Sequence, residues 1–135
     1  MDKIKLILPY PPSMNSFYTV KNNRKILSAK GRAWKEECLY RNKMWIGEKL
    51  EELPINILVK IYPPDRRIRD ADNLTKAPFD ICVALRCFWD DHQITSYTVR
   101  KMKNVKDGFI ELIISADKNG CKEGNFYWWE YYDNI

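Results

Sequence analysis

One run constrains the architecture more than any other: Ile55–Tyr62 is dense in β-branched and apolar side chains and is closed by Pro63-Pro64. A segment of that kind reads as a central strand, because its side chains fit a pleated surface covered by neighbours and the prolines remove the next ladder donors. A central strand needs partners, and the chain offers three. Lys3–Leu8 alternates, with Ile4, Leu6 and Leu8 on one face, and is ended by Pro9, Pro11 and Pro12. Two more strands are expected from about Ile94 to Met102 and from Phe109 to Ser115, joined through a turn at Asp107-Gly108.

Two helices fall between the strands. Ser28 can cap the first, running to about Gly47, with Trp34, Cys38, Arg41 and Trp45 on one side and Gly31 weakening its first turn. Asp72 or Asn73 can cap the second, which continues to about Leu85, with Pro78 kinking it or delaying its start. The stretch from Ser13 to Lys25 is polar, aromatic and then basic among asparagines, and reads as an exposed loop. The order β, α, β, α, β, β predicts an α/β fold: a single mixed domain of one sheet packed with helices. At 135 residues the chain can bury one core but not two.

Charge is distributed unevenly. The whole chain carries +5, yet residues 117–135 hold two lysines against four acids, which leaves residues 1–116 at +7. A surplus of that size on a small domain attracts polyanions. The expected division is therefore a domain over 1–116 and an aromatic, acidic tail over 117–135, the latter containing Phe126-Tyr127-Trp128-Trp129-Glu130-Tyr131-Tyr132. The four cysteines form no C-x-x-C pair, and His92 is the only histidine, so zinc and His-based chemistry are disfavoured. Met1–Leu8 lacks the apolar stretch of a signal peptide, and no segment approaches the roughly 20 apolar residues of a membrane span. A soluble, cytoplasmic protein with reduced thiols is expected.

The residues suited to chemistry sit together in sequence. Asp70 and Asp72 are one residue apart, which on extended backbone aims both carboxylates to one side, and Lys76 follows four residues later. Asp91 comes from a separate segment, at a turn before a strand. Three acids without His or Cys make a hard-oxygen set suited to Mg²⁺ or Mn²⁺. Each also has a plainer reading: Asp72 as a helix cap, Asp90-Asp91 as a turn, Lys76 as a solvated helix residue.

The run Pro64-Asp65-Arg66-Arg67-Ile68-Arg69-Asp70-Ala71-Asp72-Asn73-Leu74-Thr75-Lys76, followed by Phe79-Asp80 and by Phe88-Trp89-Asp90-Asp91, resembles the RusA-like Holliday-junction resolvase family. The N-terminal Leu8–Tyr18 stretch is in register with it, and the resemblance covers roughly residues 4–115. It implies that Asp70, Asp72 and Asp91 are metal-binding catalytic acids, that Lys76 is also needed for catalysis, and that the partners are branched DNA and a second copy of the chain. It further implies a Mg²⁺- or Mn²⁺-dependent homodimeric endonuclease nicking opposing strands of a four-way junction in recombination and repair. Pro78 and Ile68 depart from the pattern without removing a catalytic group.

By charge and position, Arg66, Arg67 and Arg69 are expected to grip phosphates beside the cut. Lys21, Arg24 and Lys25 extend that contact from the N-terminal loop, and Asn15 and Tyr18, which fall in the stretch matching the family, are expected to contact the DNA backbone or support the active site. Competing functions are a branched-DNA-binding module that has lost cleavage, a nuclease acting on other branches or on RNA, and a DxD sugar-nucleotide transferase, for which 135 residues leave little space.

Overall fold

The computed structural model describes residues 3–46, 50, 53–66 and 74–117. Four strands form the main sheet: β1 (Lys3–Pro9), β4 (Ile55–Tyr62), β5 (Ile94–Lys101) and β6 (Phe109–Ala116), in the order β1-β6-β4-β5. β6 runs antiparallel to both β1 and β4, whereas β4 and β5 are parallel. This is the mixed α/β sheet expected from the strand patterns. Its period of two sends one set of side chains to a single face, where Ile4, Leu6, Leu8, Ile55, Ile57, Val59, Ile61, Ile110, Leu112 and Ile114 are buried. Leu6, Leu112 and Val59 lie directly opposite one another across three strands, so the core is built in cross-strand layers. On the other face Glu111 sits between Lys5 (3.4 Å) and Lys60 (3.7 Å).

Helices α2 (Ala29–Arg41) and α3 (Lys76–Ala84) supply the second layer, with Trp34, Cys38, Ile81, Cys82 and Leu85 in the same core as the strands. Ser28 caps α2 as expected, accepting from the Gly31 N–H. The helix ends sooner than its sequence suggests, at Arg41, and only a 3₁₀ turn over Lys43–Trp45 continues it. Its buried stripe is Gly31, Trp34 and Cys38, followed by Asn42. Arg41 instead faces solvent and pairs with Glu37 one turn back. The regular part of α3 likewise begins late, at Lys76 with Thr75 in the cap position. Pro78 is thereby in the first turn, where its missing N–H has no helical partner to lose. The expected caps, Asp72 and Asn73, lie outside the described residues.

Residues 13–27 are not a loop. They form a single helical turn, α1 (Met14–Phe17), and then a hairpin of β2 (Tyr18–Lys21) and β3 (Arg24–Leu27). Asn22 and Asn23 make the two-residue connection, with φ of 54° and 61°. Positive φ at both central positions is the geometry that tight hairpins require, and asparagine tolerates it. Cys38, Cys82 and Cys87 are buried cysteines. Burial pushes the Cys38 thiol up to about 12 and Cys82 well above its usual range, as expected of structural cysteines. Among the described residues no helix is long and apolar enough to cross a membrane.

β1 is an edge strand, and α2 closes its open side with side chains. The buried Asn42 carboxamide accepts from Ile7 N–H at 3.3 Å and donates to Ile7 C=O at 3.0 Å and to Cys38 C=O at 2.9 Å. The Trp34 indole N–H donates to Pro9 C=O at 2.8 Å. Asn42 thus replaces a missing strand at one rung, which both ends α2 and fixes it to the sheet. Replacing Asn42 by Ala leaves those groups without partners and is expected to lower stability by about 2 kcal/mol. Urea unfolding should show this as a lower midpoint with an unchanged slope.

Candidate active site

The chain must pass from the end of β4 to the start of the parallel β5, and that passage, residues 63–93, carries the candidate chemistry. Its first stretch is set by Gly108. At φ +63°, this glycine packs so closely on Pro64 that an added Cβ would stand 2.9 Å from the proline ring, its nitrogen and the Tyr62 carbonyl. Arg66 follows, exposed. Arg67, Arg69, Asp70 and Asp72 lie outside the described residues. Lys76 opens α3 with its side chain exposed.

Asp91 opens a 3₁₀ turn, Asp91–Gln93, immediately before β5, and this turn packs beside α3. Its electrostatics are unusual for exposed acids. The Asp91 carboxyl is held above the usual carboxylate range, first by its hydrogen bond with the Asp90 carboxylate, then by partial desolvation and by the negative charges of Asp90 and Asp80. Asp90 is held below that range. It accepts from the Asp91 carboxyl, from the His92 ring (Nδ1 to Oδ2, 3.1 Å) and from the Asp91 N–H (2.7 Å). His92 therefore serves the turn through Asp90. The charges of Asp90 and Asp80 thus both act on the exposed Asp91 carboxyl, beside the helix that Lys76 begins. Repulsion of that kind is relieved when a proton or a cation arrives. Among the described residues no three His, Cys, Asp or Glu side chains are grouped closely enough to hold a metal by themselves.

Two residues outside the sequence-based set matter here. Asp80 was legible in principle, since it lies four residues after Lys76 and so on the same helical face. Gln93 is the more telling omission. It is 2% exposed, and its carbonyl oxygen accepts from the N–H groups of Trp89 (2.8 Å) and Asp90 (2.9 Å), while its amide donates to Leu53 C=O at 3.0 Å. Asp90 and Gln93 form a reciprocal capping box, whose sequence signal is an Asx followed three residues later by Gln. One buried carboxamide thus fixes the turn that presents Asp91.

The remaining expected contact residues separate into two groups. Asn15 is exposed on α1. Tyr18 is half-buried, edge-on to Phe17 (5.0 Å between centroids), with the Lys25 ammonium 4.4 Å above its ring. Lys21, Arg24 and Lys25 are exposed on the hairpin.

Residues 9–115 match the family model described as Endodeoxyribonuclease RusA. Similar proteins are the crossover junction endodeoxyribonuclease RusA of Escherichia coli strain K12 and that of Shigella sonnei strain Ss046. Each is 36% identical over 119 residues, spanning 88% of this chain and 99% of the relative. The crossover junction endodeoxyribonuclease of Enterobacteria phage 82 is 36% identical over 122 residues, with the same coverage. The class defined by this scaffold and its matches is that of the small α/β endodeoxyribonucleases. Within it, the chain belongs to the RusA family.

Replacing Gln93 by Leu removes three hydrogen bonds to backbone and is expected to destabilise the protein by about 2–3 kcal/mol. In a carboxyl-detected NMR titration of that variant, Asp91 should titrate closer to the usual carboxylate range than in the parent, because the turn no longer holds it against Asp90. An unchanged Asp91 titration would mean that Gln93 does not set the turn.

Proposed function

We propose that the protein is a divalent-metal-dependent endodeoxyribonuclease that resolves four-way DNA junctions by paired, symmetric nicks, working as a homodimer in recombination and repair. The observation that carries this reading is the family match, which spans both the acidic run before α3 and the turn that presents Asp91. In this reading residues 1–116 are the nuclease domain and 117–135 an appended tail. Asp70, Asp72 and Asp91 hold Mg²⁺ or Mn²⁺, which, when bound, supplies Lewis acidity toward the phosphate. Lys76 places a fixed positive charge beside the phosphate to be cut, where negative charge grows during displacement. Arg66, Arg67 and Arg69 grip flanking phosphates, and Asn15, Tyr18, Lys21, Arg24 and Lys25 extend the contact. The acids also repel DNA, so positive charge on both sides of them is needed to keep the backbone in place.

A resolving enzyme needs two cuts related by approximate two-fold symmetry, and a cyclic pair of chains supplies two equivalent sites. Asp91→Asn is expected to slow cleavage of a labelled synthetic four-way junction by on the order of 100-fold or more while leaving binding intact. The parent protein, dimeric by light scattering, should convert a supercoiled plasmid with an extruded cruciform to linear product with little nicked circle. Nicked circles accumulating ahead of linear product would overturn the paired-cut model. Tight junction binding with no cleavage in Mg²⁺ or Mn²⁺ would mark an inactive binding module instead.

A further inference from the structure

The β2–β3 hairpin stands out from the body with cations on both of its faces. Residues 19–26 are all exposed. The register pairs Tyr18 with Leu27, Thr19 with Ile26, Val20 with Lys25 and Lys21 with Arg24. Directly opposed residues share a face, and faces alternate along each strand. One face therefore carries Tyr18, Leu27, Val20 and Lys25, and the other Thr19, Ile26, Lys21 and Arg24. The Lys25 ammonium over the Tyr18 ring is on the first face. Lys21, Arg24 and Ile26 line one shallow depression on the second. No acid occurs between residues 18 and 27. Val20, 73% exposed, is a β-branched side chain left in solvent beside a cation.

The root of this ribbon is rigid. Ser28 N–H donates to Phe17 C=O at 3.0 Å, joining the two ends of the hairpin, and its hydroxyl accepts from Gly31 N–H at 3.0 Å. Any Cβ at Gly31 would collide with the Phe17 carbonyl, so α2 starts hard against the hairpin base. Phe17 is itself buried against Trp34, with ring centroids 5.6 Å apart.

We propose that this hairpin inserts into the major groove of a DNA arm and contacts phosphates on both groove walls at once, Lys21 and Arg24 on one and Lys25 on the other. The inference rests on the DNA-directed function proposed above. A ribbon lying flat on a backbone needs cations on one face only; cations on both faces suit a slot between two rows of phosphates. Size selects the slot. The major groove is about 12 Å wide and admits a two-stranded ribbon, while the minor groove, about 6 Å wide, does not. From Thr19 to the turn the ribbon extends about 10 Å, comparable with a groove depth of about 8.5 Å.

The test compares the parent with a Lys21→Ala/Arg24→Ala variant, with Lys25→Met, which keeps the stem over Tyr18 but removes the charge, and with the triple variant. All positions are exposed, and equal melting temperatures confirm folding. Affinity for a linear duplex and for a four-way junction is measured without divalent metal between about 50 and 200 mM salt. For each hairpin engaged, the slope of log K against log salt should fall by about 1.8 in the double variant, about 0.9 in Lys25→Met and about 2.7 in the triple. Dimethyl sulfate probing of guanine N7, a major-groove atom, should show a protected patch that the triple variant loses. An unchanged slope in Lys25→Met beside a reduced one in the double variant would mean a ribbon lying flat on one face. Slopes unchanged throughout would remove the hairpin from the interface, and absent N7 protection by the parent would remove it from the major groove. Normal junction cleavage with unchanged slopes sinks the ribbon alone. Reduced slopes without cleavage sink the proposed chemistry and leave the ribbon standing.

Discussion

The parallel pairing of β4 with β5 is the constraint from which the functional half of the molecule follows. Antiparallel neighbours can be joined by a tight turn, but a parallel pair obliges the chain to travel back along the whole sheet before pairing again. Here the return is made by α3, which covers the apolar face with Ile81, Cys82 and Leu85. The two ends of that return are the segment leading through Arg66 and the turn at Asp90-Asp91. A structural obligation of the sheet therefore brings the lysine-headed helix and the acidic turn into one neighbourhood.

Two buried carboxamides do comparable tasks at different places. Asn42 satisfies the outer edge of β1 and ends α2; Gln93 satisfies the turn before β5. Each combines a donor and an acceptor in one neutral group, which lets it stand in for a peptide unit where the ladder stops. A charged residue of the same size at either position carries a large desolvation penalty. A hydrophobic one leaves backbone groups unpaired.

Much of this was readable in the amino-acid sequence. β1, β4 and β6 were legible because their burial has a period of two, and the mostly exposed β5 through its Ile, Thr, Tyr and Val content; Ile55–Tyr62 matches its element residue for residue, and β1, β5 and β6 differ only at their last positions. The hairpin was not, because its strands are exposed and lack apolar alternation, and its Asn22-Asn23 turn has no glycine to mark it. The end of α2 was obscured by Arg41 and Trp45, whose spacing suits a longer helix, whereas the deciding bond runs from Asn42 to a residue thirty-five positions earlier. At the site, Lys76 and Asp91 were named by motif, and both are exposed. Gln93 escaped notice because its importance lies in what it holds, and a lone glutamine in a polar stretch carries little signal.

The register of β1 has a consequence for how the protein is made. Among the described residues its one strand partner is β6, with Lys3 opposite Ser115, so the first strand of the sheet in chain order pairs with the last. Until β6 leaves the ribosome, Ile4, Leu6 and Leu8 form an apolar row without its neighbour, while β4 lacks the strand that separates it from β1. Closure of the sheet thus waits for β6. Such non-local pairing folds slowly, because most of the loop-closure entropy is lost before the contact forms. During that interval the nascent chain exposes a sticky edge, and its early steps should depend on what shields β1 until β6 arrives.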